Sequence, residues 1–200
     1  MVIKQIEFQL KGEREYIHGT DMFNAIIDAM GKGEVRNICF TAHGFVKTPI
    51  CKLFLSDNKE ELASIGEAKV RCHFDVEGKM HWATLVEDAD NTVPGKRYEY
   101  DEASIISVCL MEDEEIVLTQ PTKFSFIENI VAMNKHMHQQ MFPEIQGSWV
   151  FTRIDLEVGC EANNNLKLHF RHNMNYRLTK SDILLDGKKI GDLFFSLVRA

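Results

Sequence analysis

A histidine, a glycine, a hydroxyl and a carboxylate stand together in Tyr16-Ile17-His18-Gly19-Thr20-Asp21. Thr20 and Asp21 are helix-capping types, and Phe23, Ile26, Ile27 and Met30 follow at helical spacing until Gly31 and Gly33 end the pattern. A helix start gathers unpaired backbone N–H groups and the positive end of the helix dipole. It can therefore polarise a carbonyl oxygen or stabilise an enolate. Gly19 would let the backbone approach a ligand closely, and His18 or Asp21 could abstract a proton or activate water. The plainer reading of the same residues is an N-cap behind a surface histidine.

Other residues invite similar questions. His43, in Phe40-Thr41-Ala42-His43-Gly44-Phe45, sits in an apolar strand pattern and could line a pocket, or be a satisfied core or solvent-facing histidine. Asn134 falls on the apolar arc of a second helix with Ile127, Ile130 and Val131, so its amide needs a partner, and a ligand is one it could have. Glu128 is most simply the acid of a capping box begun by Ser125. Met133, Met137 and Met141 read as pliable core, or as lining for a variable chain. The pairs His136/His138 and His169/His172 have the wrong spacing for a chelate on a helix and on a strand respectively, so no metal is expected. The nucleophile elbow, the phosphate-binding glycine loop and the dinucleotide fingerprint are absent.

The elements that must position these residues occur twice. Met30 closes a helical pattern before the strand at Phe40-Thr41, and Met141 does the same before Phe151-Thr152, 111 residues later. Glu77-Gly78-Lys79 marks a hairpin, and Asp186-Gly187-Lys188 repeats it 109 residues on. Each copy reads as a strand, a buried helix and a strand meander. Val2 to Leu10 alternates as a half-buried strand; Asn37 to Phe45, Ile50 to Leu55, Lys69 to Val76 and Met80 to Glu87 follow the first helix. Ile105 to Met111 and Glu115 to Thr119 open the second copy. Strands from Trp149 to Val158, Leu166 to His172, Tyr176 to Leu185 and Lys189 to Val198 close it. The polar stretch Asp88 to Asp101, with Pro94-Gly95, lies between them. The expected division is residues 1–90, a linker at 91–103, and residues 104–200.

A sheet that buries one face around a helix apolar on most sides is an α+β arrangement. In this order of elements the chain resembles the hotdog superfamily, and its two copies resemble the double-hotdog proteins: two tandem hotdog units, each a curved antiparallel sheet wrapped around a central helix. The resemblance implies an enzyme acting on an acyl thioester of coenzyme A or an acyl carrier protein, without a cofactor. It implies a site near the start of a central helix, between the units, with Asp, Glu or His as acid or base. On that reading His18 or Asp21 is catalytic. Gly19, Thr20, Phe23, His43, Met133, Asn134 and Met137 contact substrate, the acyl tail running along Phe23, Met133 and Met137. Hydrolysis is favoured because it needs only one base and a water. The alternatives are a 3-hydroxyacyl dehydratase or enoyl hydratase, and a non-catalytic module that binds an acyl group or carrier protein. The chain lacks the His-Pro-rich signature of the dehydratases and the paired-Gly turn of many thioesterases, which supports the last of these.

Composition narrows the partners. A net charge of -7 without a basic, aromatic-interleaved patch argues against nucleic acid. The charged, alternating start reads as a strand rather than a signal peptide, and no apolar run reaches the length of a membrane span. Five scattered cysteines, Cys39, Cys51, Cys72, Cys109 and Cys160, read as reduced structural thiols of a cytoplasmic protein. A double unit is expected as a monomer or, through its sheet edges, a homodimer.

Overall fold

The computed structural model describes residues 1–31, 33–88, 90, 95–157 and 165–199. Cys160, the end of the strand expected to reach Val158, and part of the expected linker (89 and 91–94) lie outside the described residues. The chain divides into two compact units, Met1–Tyr100 and Asp101–Ala200.

The first unit contains β1 (Val2–Glu7), β2 (Leu10–Lys11), α1 (Gly19–Ala29), β3 (Val35–Ala42), β4 (Ile50–Ser56), α2 (Lys59–Ala63), β5 (Val70–Val76), β6 (Lys79–Glu87) and β7 (Arg97–Tyr98). Its main sheet is antiparallel, in the order β1-β4-β6-β5-β3, while β2 and β7 form a short parallel pair. Alternation places Ile38, Phe40, Leu53, Phe74 and Leu85 in the core. There Phe40 meets Phe23 of α1 edge-on, with ring centroids 5.6 Å apart. Burial of each such side chain contributes about 1.5–3 kcal/mol.

The second unit contains α3 (Glu102–Ile106), β8 (Cys109–Glu112), β9 (Glu115–Leu118), α4 (Phe126–Met141), β10 (Ser148–Leu156), β11 (Leu166–Met174), β12 (Leu178–Leu185) and β13 (Lys188–Val198). Its antiparallel order is β8-β9-β11-β12-β13-β10. Helix α4 packs against β9, β10, β11 and α3, and residues 129–134 are buried without a break, so the helix is covered on all sides there. Its start is the capping box expected from Ser125 and Glu128: each side chain bonds the other's backbone N–H.

Both glycine hairpins form as expected. Glu77 and Gly78 take φ of 53° and 83°, and Asp186 and Gly187 take 51° and 77°, the left-handed pairs of a two-residue hairpin. Gly191 in β13 serves a different need: a Cβ there would lie 2.2 Å from the Asp155 carbonyl oxygen of β10.

Several expectations are corrected. In the second unit β11, β12 and β13 form a meander but β10 pairs with β13 rather than β11, and in the first the connection after β4 carries α2 and crosses over, so that β6 rather than β5 pairs with β4. Strand β1 pairs with β4, yet only its Ile6 is half-buried and Val2 and Ile3 are exposed. Ile105 belongs to helix α3, not to a strand, because Asp101 caps that helix by accepting from the Ser104 N–H. Arg97–Tyr98 of the expected linker forms a strand. No helix among the described residues is long and apolar enough to cross a membrane.

Candidate active site

Helix α1 begins two residues earlier than a Thr20 cap would allow. His18 is the N-cap, in extended conformation, and its side chain makes no cap bond. Thr20 and Asp21 therefore stand inside the first turn with their side chains engaged elsewhere. The entry to the helix is fixed by the Ile17 N–H, which donates to the Val46 carbonyl at 2.8 Å.

The partner of these residues is Lys11. The β2–β7 pair is held by the Leu10 N–H on Lys96 O (2.7 Å) and the Gly12 N–H on Tyr98 O (2.9 Å). Arg97 ties it further by donating to the carbonyls of Gly12 and Arg14 at 2.8 and 3.0 Å. This brings Lys11 and Tyr98 to the first turn of α1. The Lys11 side chain has 0% exposure; its ammonium lies 2.9 Å from Asp21 Oδ1 and donates to Thr20 Oγ1 at 2.9 Å. It also sits 4.3 Å from the centroid of the Tyr100 ring. Tyr98 donates its hydroxyl to the Asp21 carboxylate, 3.1 Å from each oxygen. An ammonium removed from water is tolerable only with such compensation.

His18 completes the cluster, its Nδ1 2.8 Å from Thr20 Oγ1. His18, Thr20 and Asp21 are thus drawn together, with Gly19 between them, and the half-buried His18 ring is oriented by Thr20. The Asp21 carboxylate is occupied by Lys11 and Tyr98. Lys11, Tyr98 and Tyr100 escaped the sequence reading. Lys11 alternates with apolar neighbours like any strand lysine, and the two tyrosines sit in a stretch that reads as linker.

The other expected site residues lie elsewhere. Phe23 is in the first unit's core. His43 is exposed on the side of the β3 strand run opposite Phe40, the residue that faces α1. Met133, Asn134 and Met137 belong to the second unit, where all three are fully buried. Asn134 Oδ1 accepts from the Ser181 hydroxyl at 2.7 Å, while its Nδ2 is buried without a hydrogen-bond partner. One turn on, His138 Nδ1 lies 2.6 Å from the Asn134 carbonyl oxygen and Nε2 lies 2.6 Å from Thr179 Oγ1. A carbonyl can only accept, so the neutral ring carries its proton on Nδ1 and the threonine hydroxyl donates to Nε2. Burial pushes this imidazole down to about 4, against a smaller opposing effect of its bond to Asn134.

Burial pushes the Cys51 thiol up to about 12 and the Cys109 thiol to about 11, which disfavours nucleophilic chemistry at either. Among the described residues no three His, Cys, Asp or Glu side chains converge as metal ligands would.

No protein-family model matches the chain, and no curated protein matches it in sequence. Solved structures do match it. The 12:0-ACP thioesterase from Umbellularia californica superposes with a TM-score of 0.52 and 9% identity, covering 100% of this chain and 97% of that one. The fold is the hotdog fold. A Thermobifida fusca YX protein assigned as thioesterase II shares it at a TM-score of 0.52 and 8% identity, over 98% of this chain and 92% of its own. So does a Novosphingobium aromaticivorans DSM 12444 protein assigned as a thioesterase, at 0.50 and 10%, over 99% and 94%. At such low identity the likeness is one of hotdog architecture and carries no residue roles.

Proposed function

We propose that the chain is a tandem hotdog enzyme that hydrolyses an acyl thioester of coenzyme A or an acyl carrier protein at the start of α1. The observation that carries this reading is the cluster in which His18 is oriented by Thr20 beside a buried Lys11–Asp21 pair at that helix start. The division into two compact units, each with its own antiparallel strands and a long helix, supports the tandem arrangement. In the proposed reaction the thioester carbonyl lies against the first N–H groups of α1, near Gly19 and Thr20, where the helix dipole stabilises the oxyanion. His18 takes a proton from water through Nε2 as the water attacks the carbonyl carbon, and returns it to the departing thiolate as the C–S bond breaks. Asp21 is not the base. It balances Lys11, and together with Tyr98 holds the cluster in place.

A thiol-release assay over acyl-CoA thioesters of graded chain length tests this. Release by the parent should fall at least about 100-fold in His18→Ala, the scale of a lost general base. Unchanged release in a folded His18→Ala protein would remove the assignment. A second reading, an acyl- or carrier-binding module without turnover, is favoured by Asp21 being fully engaged within the cluster. It predicts no release from any substrate, with an acyl ligand retained in native mass spectrometry.

A further inference from the structure

The first unit has a concavity on the face of its sheet directed away from Phe40 and α1. Cross-strand rows Cys39–His73–Trp82 and Thr41–Arg71–Thr84 form its floor. Helix α2 forms a wall through Lys59, Leu62 and Ala63. The crossover that distinguishes this unit from the other is what puts a helix there. The resulting cavity has a volume of about 540 Å³, within the range of roughly 300–1,000 Å³ usual for small-molecule sites.

Its charge is unusual for an acidic chain. Lys59 and Arg71 line it, His43 and His73 add imidazoles, and no Asp or Glu is among its lining residues. The Arg71 guanidinium is fixed by donating to the carbonyls of Leu62 (3.4 Å) and Ile65 (3.2 Å), and no carboxylate among the described residues neutralises it. Lys59 likewise has no ion-pair partner among the described residues. Two cations with no carboxylate partner among the described residues therefore border a floor and wall carrying Trp82, Met80 and Leu62.

We propose that this cavity is a binding site for a small amphipathic monoanion: an apolar body bearing one carboxylate. The carboxylate sits toward Lys59 and Arg71, and the apolar body lies over Trp82, Met80 and Leu62. A rigid guanidinium and a mobile ammonium supply the positive field without the cost of breaking an existing ion pair. The apolar surface selects against small hydrophilic anions. The site is separate from the cluster at α1, and its existence does not depend on catalysis there.

Calorimetric titration of the full chain with octanoate, octan-1-ol and inorganic phosphate tests the proposal, with Trp emission followed in parallel. The expected result is saturable octanoate binding, at least tenfold weaker octanol binding, and a change in emission that disappears in Trp82→Phe. Lys59→Glu alters an exposed side chain without an ion pair, so it should keep the parent's melting temperature while losing at least tenfold in octanoate affinity. Absent binding, equal affinity for octanol, or octanoate binding unchanged in Lys59→Glu would each overturn the site. Displacement of octanoate by phosphate at comparable concentration would overturn the carboxylate assignment.

Discussion

Lys11 is a fully buried cation, and its stability rests on Asp21 and Thr20. Lys11→Met keeps most of the aliphatic volume but strands the Asp21 carboxylate beside an apolar group. Breaking a largely buried pair from one side costs about 3 kcal/mol, a loss that urea denaturation at neutral pH should register. Adding Asp21→Asn to Lys11→Met should recover part of it, since the uncompensated charge is then gone. A double variant as unstable as the single one would mean that Lys11 acts through packing against Tyr100 rather than through its charge. His18 differs from both: it makes no side-chain cap bond, so His18→Ala should affect turnover far more than folding.

The two long helices begin in different ways, and the difference is testable at the level of the element. Helix α4 has a reciprocal capping box and a wholly buried middle, whereas α1 starts at a histidine and turns its first hydroxyl and carboxylate toward Lys11. Ser125→Ala should destabilise the protein by about 1 kcal/mol, as loss of an N-cap hydroxyl does, and denaturant midpoints would reveal it. Helix α1 leaves its cap unmade and spends Thr20 on the cluster instead, the kind of local inconsistency found where a site is built. The crossover helix α2 has the same character. It is short and adds little to the core beyond Leu62, yet it walls the cavity lined by Lys59 and Arg71.

At the scale of the molecule, two acid-sensitive groups, His138 and Asp182, lie in the second unit. His138 is held near 4, below the ordinary histidine value, so the unfolded chain binds more protons between about pH 6.5 and 4. Stability therefore falls as pH drops through that window, by about 2–3 kcal/mol between pH 7.5 and 4.5 from this group alone. His138→Leu should remove that part of the pH dependence, measured by urea unfolding at the two pH values; an equal slope in parent and variant would contradict the burial argument. Asp182 acts later in the titration. Burial opposes its charge, but Lys189 at 2.8 Å and Arg171 at 2.5 Å outweigh it and hold the carboxyl at about 2. Its contribution is intact above the ordinary aspartate value and is lost only as pH falls through about 2.

Local signals were legible in the linear chain because the forces behind them act over a few residues. The capping box at Ser125 and Glu128, the two left-handed hairpin turns, the apolar circumference of α4 and the crowding of His18, Gly19, Thr20 and Asp21 each follow from chemistry within one or two turns of chain. What the linear chain could not disclose depends on strand pairing between distant segments. The β2–β7 pair joins residues near 10 to residues near 97, and only that pairing delivers Lys11 and Tyr98 to α1 and ties up Asp21. The exchange of β5 and β6 in the first sheet, and with it the cavity under α2, is likewise a choice of register and crossover. Periodicity shows which face of a strand is apolar, but strand order is set by packing of the whole sheet. The sequence by itself thus determined the elements, their repetition and one half of the candidate site. The tertiary structure decided which charges meet there.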